Sequence, residues 1–204
     1  MRRLEALRQL TELTEDLPVV VTCAATSREL ASVADRDNHF SLLDSMGLAG
    51  SVATGLAMAV AGSPVQKVIG IEGDGSLLMN PNVLPTGGYT APRALLLVLL
   101  DNRSYGSTAG LPTYTDRIDL GAMAEATGWT VARASDPESL REEFTRLLGI
   151  PGPALLHVRI EPGNAADIPK LLVDPVVLTH RFQNWLRAKL TETGDTEPGA
   201  QQRT

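Results

Sequence analysis

The stretch Gly73-Asp74-Gly75-Ser76-Leu77-Leu78-Met79-Asn80 follows the apolar run Val68-Ile69-Gly70-Ile71 and sets a carboxylate between two glycines where a buried strand should end. In an open α/β sheet that place is the carboxyl edge, where ligands bind. Asp74 is therefore a candidate site residue. A second apolar run, 94–100, stops at Asp101-Asn102, so a second polar pair reaches the same edge. Taken alone, Gly-Asp-Gly also fits a tight turn carrying a solvated aspartate. Of the other reactive side chains, His157 inside a strand pattern and His180 on the last helix read as structural. His39 precedes a strand and could approach the edge. Cys23, with no base evident beside it, reads as a small buried residue.

The 204 residues suffice for one sizeable α/β domain but not two. A net charge of -6 and the lack of any lysine or arginine run give no basic face for nucleic acid. With Cys23 the only cysteine, disulfide frameworks, iron-sulfur clusters and cysteine-rich zinc sites are excluded within the chain, and a reducing cytoplasm fits. Residues 1–16 interleave acids with bases and lack an apolar h-region, so they do not read as a signal peptide. No segment has the roughly 18 uninterrupted apolar residues of a membrane span.

The elements that must position the edge residues follow from periodicity. Leu4, Leu7, Leu10 and Leu13 recur at helical spacing, and that helix ends before Pro18. Short strands are expected at 19–21 and 39–43, with a helix at 27–34 between them. Residues 48–61 are small and apolar nearly all round, which predicts a helix buried on several sides and packed closely through Gly50, Ala53, Gly55 and Ala57. A strand at 65–72 is followed by a sharp turn at Gly75 and a helical stretch opened by Ser76 and disturbed by Pro81 and Pro85. The run 94–100 is short enough to be a strand covered on both faces. A polar loop through Tyr114 follows. Then come a helix at 119–127, a strand at 130–133 and a helix at 135–148 whose capping box is Ser135 to Glu138. The last strand is at 154–160 and the last helix at 176–190. Strands alternating with helices predict an α/β fold, a doubly wound, mainly parallel sheet with helices on both faces, forming one domain over 1–190. Residues 191–204 read as a disordered tail.

Together, Gly73-Asp74-Gly75, then 25 residues, then Asp101-Asn102 resembles the diphosphate and magnesium signature of thiamine diphosphate enzymes, with Asp101 in place of a first asparagine. The resemblance implies the thiamine diphosphate-binding fold, with thiamine diphosphate and Mg2+ as cofactors. In it Asp74, the side-chain oxygen of Asn102 and the backbone carbonyl of Ser104 bind the metal, which takes hard oxygens and keeps phosphate oxygens among them. Gly73, Gly75, Ser76 and Tyr105 belong to the cofactor-binding set. Gly75 and Ser76 lie at a helix N-terminus, where free N–H groups favour an anion, and Gly47 offers a second one. Asp44-Ser45-Met46-Gly47-Leu48-Ala49 looks like the segment that holds the cofactor bent, with Met46 as the wedge and Ser45 and Gly47 beside it.

Thr26-Ser27-Arg28-Glu29-Leu30 and residues 105–113 resemble most closely the sulfopyruvate and phosphonopyruvate decarboxylases, over roughly 19–182. Ala24 and Ala25 stand where these relatives carry Gly-Lys, Ala109 where they carry glycine and Leu111 where they carry glutamine. The resemblance implies decarboxylation of a 2-oxo acid to an aldehyde and carbon dioxide, with Ser107 and Thr108 as candidate contacts for a sulfonate or phosphonate at C3. Nothing in the chain supplies the glutamate that activates the cofactor. That glutamate is expected on a pyrimidine-binding alpha subunit in an α2β2 or larger hetero-oligomer, with the helix at 48–61 as interface. An acetolactate or acyloin-type carboligase subunit and a non-catalytic cofactor-binding module remain open alternatives.

Overall fold

All seven residues of 95–101 are buried, and their side chains alternate between two separate cores. Leu96, Val98 and Leu100 join one with Leu7, Leu10, Ile69, Ile71 and Phe144. Leu95, Leu97 and Leu99 join the other with Ala49, Ala53, Leu77, Leu84 and Trp129. Burial on both sides is why this strand reads as a continuous apolar run rather than an alternating one.

The computed structural model describes residues 1–191. In chain order these form α1 (Arg3–Leu13), β1 (Val19–Val21), α2 (Ala25–Val33), β2 (His39–Ser41), α3 (Ala49–Ala59), β3 (Val68–Gly73), α4 (Asp74–Met79), α5 (Val83–Thr90) and β4 (Leu95–Asp101). The short strands β5 (Ser104–Tyr105) and β6 (Leu111–Pro112) follow, then α6 (Leu120–Ala126), β7 (Thr130–Ala134), α7 (Pro137–Leu148), β8 (Ala154–Arg159) and α8 (Pro175–Thr191). The six-stranded sheet has the order β2-β1-β3-β4-β8-β7 and is parallel throughout. From β1 the chain crosses outward to β2, whereas from β3 it crosses the other way to β4. The order therefore reverses between β1 and β3, and a crevice opens outside their carboxyl ends. Apart from Thr191, the last residue of α8, the tail expected at 191–204 lies outside the described residues. Among the described residues no helix is long and apolar enough to cross a membrane.

Several expectations shift. β3 starts at Val68, not 65, because Lys67 leaves the strand pattern to donate its ammonium to the carbonyls of Arg93 and Ile150. The helical stretch after β3 splits in two. Pro81 lies in the break, whereas Pro85 falls in the first turn of α5, where its missing N–H has no partner to lose. The expected polar loop contains the antiparallel pair β5 and β6. The box on α7 is Asp136 with Ser139: proline favours the first helical position, which makes Asp136 the cap, and its carboxylate accepts from Ser139 N at 3.0 Å. The helix expected at 48–61 is buried on one side only. Ala49, Gly50, Ala53, Thr54 and Ala57 face the sheet, and a Cβ on Gly70 would meet Ala53 Cβ at 3.0 Å, so the helix lies close over β3. Its outer side keeps Leu48 and Met58 exposed.

His39 begins β2 with its ring buried and Nε2 unpartnered. Burial, helped by the nearby Arg36 charge, pulls its pKa down from 6.5 to about 4. A depressed histidine pKa means the unfolded chain takes up a proton first as pH falls, so stability is lost between pH 6.5 and about 4. The loss attributable to this group is up to about 3 kcal/mol at about 1.4 per pH unit. Urea unfolding over a pH series should show that His39→Leu flattens this interval while leaving the slope above pH 7 unchanged.

Candidate active site

β3 ends at Gly73, and Asp74 is already the first residue of α4, 2% exposed. The turn therefore precedes Asp74 rather than falling at Gly75. Gly75 is needed for another reason: a Cβ there would sit 2.6 Å from the Tyr105 ring, which the β5–β6 pair lays across α4. Asp74 Oδ2 accepts from the Thr113 hydroxyl at 2.6 Å, and its Oδ1 from Asn102 N at 3.4 Å. Burial nonetheless holds its carboxyl above the usual range, and the neighbouring Asp101 charge adds to that. Among the described residues no cation is paired with it.

Beside it, Asn102 Oδ1 accepts from Ser104 N at 2.9 Å, closing a turn in which Arg103 takes φ 60°. Asp101 is fully buried beneath. Burial raises its pKa, but the hydrogen bond to His157, the Arg159 guanidinium and the Thr115 hydroxyl outweigh this and hold it low. His157 Nε2 lies 2.8 Å from Asp101 Oδ2, and Thr115 Oγ1 donates to Asp101 Oδ1 at 3.0 Å and lies 3.0 Å from Thr113 Oγ1. The two aspartates at the ends of β3 and β4 are thus joined through two threonine hydroxyls.

One cavity spans the crevice. Met46, Gly73, Asp74, Gly75, Ser76, Asn102, Ser104, Tyr105, Ser107 and Thr108 all border it. Ser45 and Gly47 do not. Ser45 turns its hydroxyl to Leu43 O, and Gly47 takes φ 76° and donates its N–H to Ser76 Oγ at 2.8 Å. Thr108 closes its own loop by donating to Tyr105 O at 3.0 Å. The second helix N-terminus expected near Gly47 is not free for an anion: Gly50 N donates to Glu72 Oε1 at 3.0 Å. Glu72 is itself buried, with Oε2 unpartnered and its pKa raised by that burial. Burial also raises the Cys23 thiol, which keeps it protonated at neutral pH.

Other residues were not foreseen. Thr22 bonds Ser76 Oγ at 2.9 Å, which ties β1 to α4. Arg3 and Asn164 border the cavity from opposite ends of the chain. Arg3 pairs with buried Glu29 at 2.9 Å and donates to Asn164 Oδ1 at 3.1 Å. Ala24 holds φ 65°, ψ -130°, a conformation natural to glycine and costly for a residue with a Cβ.

The chain belongs to the thiamine pyrophosphate enzymes: residues 21–158 match the family's C-terminal TPP binding domain. It is 41% identical over 182 residues to sulfopyruvate decarboxylase subunit beta of Methanothermobacter thermautotrophicus, covering 89% of this chain and 94% of that one. It is 36% identical over 183 residues to phosphonopyruvate decarboxylase of Streptomyces viridochromogenes, covering 89% of this chain but 45% of that protein. Benzoylformate decarboxylase of Polynucleobacter necessarius has the same fold, at TM-score 0.66 and 20% identity over 80% of this chain and 33% of its own.

The residues at the crevice fit a magnesium-bound diphosphate. The Asp74 carboxylate is buried without a counter-ion, which a divalent cation would supply. The donors around it are hard oxygens. The space in front of Gly73 is clear, with nothing within 4 Å of where a Cβ would stand. Among the described residues no group of three or more His, Cys, Asp or Glu side chains is arranged to hold a metal unaided, so an ion here must take amide, carbonyl or phosphate oxygens as well.

The raised pKa of Asp74 makes a signed prediction. Ionising it costs the ligand-free chain stability as pH rises from the usual carboxylate range through the raised value. Asp74→Asn should therefore raise the melting temperature of the ligand-free chain at pH 7 by a few degrees, on the scale of about 1 kcal/mol, and remove that pH dependence. The same variant should lose magnesium-dependent thiamine diphosphate binding in calorimetric titration of the complex with its partner subunit. Unchanged affinity there would overturn the role given to Asp74.

Proposed function

We propose that this chain is the diphosphate- and magnesium-binding subunit of a split thiamine diphosphate-dependent decarboxylase. Its substrate would be a 2-oxo acid bearing a sulfonate or phosphonate at C3, and its products the aldehyde and carbon dioxide. The observation that carries the reading is the identity of 41% with a decarboxylase subunit along nearly the whole of both chains. The residues of the cavity at the β1–β3 reversal fit the cofactor, and the lone free cysteine suits a reducing cytoplasm. The extent and level of identity with the decarboxylases favour this reading over the carboligase and the non-catalytic module.

When bound, thiamine diphosphate supplies a carbon nucleophile and a ring that takes up the electron pair left as carbon dioxide departs. This chain's own contribution is to bind and orient. Asp74, the Asn102 side-chain oxygen and the Ser104 carbonyl would hold Mg2+, with one carboxylate among neutral oxygens leaving the ion charge enough to retain the diphosphate. The backbone from Gly73 to Ser76 would face the diphosphate, and Ser76 is kept in place by Thr22 and Gly47. Met46 would support the bent cofactor from the opposite side. Cys23, Met79 and Leu100 give the cavity an apolar wall.

The activating glutamate would come from a pyrimidine-binding alpha subunit. α3 offers a surface for it: Leu48 and Met58 are 43% and 51% exposed on a helix whose other side is fully packed. Relatives such as phosphonopyruvate decarboxylase of S. viridochromogenes have more than half their length beyond the part this chain matches.

Two outcomes test the reading. The purified chain should release no carbon dioxide from 3-sulfopyruvate or 3-phosphonopyruvate, and activity should appear on mixing with the alpha subunit; turnover by the chain alone would contradict the split assignment. In the active complex, Met46→Leu should retain most activity, whereas Met46→Ala should lower kcat on the order of 100-fold while the cofactor Kd stays nearly constant, because misplacement rather than lost binding is the cost. A Met46→Ala enzyme with wild-type kcat would remove the wedge role.

A further inference from the structure

A second cleft opens beside the cofactor cavity and shares Ala24 and Ser107 with it. It reaches from the N-terminal turn of α2 past Leu43 and Asp44 to Lys170, so it joins the cavity on the side of the segment leading to Met46, away from Asp74. Two cations border it that no carboxylate among the described residues neutralises. Among the described residues neither Arg28 nor Lys170, which come to this cleft from distant parts of the chain, is paired with a carboxylate. Asp44 is the one acid on the lining, leaving an excess of positive charge.

Arg28 is held rather than loose. The strained turn at Ala24 points its carbonyl back into α2, where it accepts from Arg28 Nε at 3.1 Å, Ser27 Oγ at 3.1 Å and Arg28 N at 3.3 Å. Bonding through Nε anchors the guanidinium at the rim and leaves its terminal N–H groups for a ligand. Ser107, on the shared wall, makes no hydrogen bond through its hydroxyl within the described chain. A planar fork of donors, a mobile ammonium and a free hydroxyl around one opening suit a tetrahedral oxyanion.

We propose that Arg28 and Lys170, assisted by Ser107, bind the C3 sulfonate or phosphonate of the substrate and so set its specificity. The assignment rests on the decarboxylase reading above and adds the residues that select among 2-oxo acids. In place of the pair Ser107 and Thr108, it takes only Ser107 and adds two cations from other parts of the chain. Lys170 stands on the irregular segment between β8 and α8, so that segment contributes to selectivity although it carries no secondary structure.

The test uses the complex with the alpha subunit, carrying Arg28→Gln or Lys170→Met, with Arg28→Lys as the conservative control. Each of the first two should raise KM for 3-sulfopyruvate and 3-phosphonopyruvate by about 10-fold or more, the scale of one lost charge-assisted hydrogen bond. Arg28→Lys should recover part of the loss. For pyruvate, which has no C3 anion, kcat/KM should stay within about twofold of wild type, as should the Kd for thiamine diphosphate. Equal losses on pyruvate, a weakened cofactor Kd, or no change on the anionic acids would overturn the subsite. Lys170 is exposed, so its variant keeps the fold even if Arg28→Gln does not. If the wild-type complex decarboxylates none of these acids, the decarboxylase reading falls separately. Calorimetric titration with sulfoacetate and phosphonoacetate then decides the subsite: binding lost in both variants upholds an anion site, and no binding to wild type overturns it.

Discussion

Two carboxylates, Glu72 and Asp74, are buried on either side of the last residue of β3 without a counter-ion, and Asp74 is the one that borders the crevice. A sheet covered on both faces is built from apolar runs, and most of its polar groups fall where its strands stop. The reversal between β1 and β3 leaves such a place uncovered, and the chain puts Asp74 there with the Thr113 hydroxyl and the backbone N–H groups of Asn102 and Gly75 as compensation. These bonds orient the carboxylate without neutralising it. Leaving the charge uncompensated costs folding free energy in the ligand-free state and preserves attraction for a cation. The low-lying Asp101 a few ångströms away shows the contrast: there His157, Arg159 and Thr115 satisfy the charge within the chain, and the residue serves structure.

The same logic separates what a sequence can reveal from what it conceals. Asp74 and Asn102 could be located because each terminates a strand that is apolar on both faces, so the strand end shows as an abrupt change of polarity. The parallel order followed from the same runs alternating with helices. Thr113, Thr22, Glu72 and the Arg3–Glu29–Asn164 group could not be seen, since each takes its meaning from a partner far along the chain and none belongs to a periodic pattern. Arg3 looks like any charged residue at the start of a helix until α2 and residue 164 close over it. The β5–β6 pair was hidden by its length, two residues in each strand. For Gly75 the local reading had the right residue and the wrong reason, since its lack of a side chain makes room for a ring thirty positions later rather than for a turn.

Positioning here runs through backbone and hydroxyls more than through charge. Ser76 links β1, the Met46 segment and α4 by two hydrogen bonds, and Glu72 secures the start of α3 against the strand that presents Asp74. The Met46 segment and the start of α3 are thus held by Ser76 and Glu72, which stand two residues to either side of Asp74. A shift of α3 by a partner docking on its outer side would be transmitted through Gly50 and Gly47 to both halves of the crevice.

The outer side of α3 also bears on how such a protein must be made. If the proposed alpha subunit covers α3, Met58 on the helix and Leu48 just before it stay open to other surfaces until it docks. A chain synthesised in excess of its partner would therefore present this face to other copies and to chaperones, and its survival would depend on the rate at which the second polypeptide arrives. Matched translation of the two chains would then favour colloidal stability.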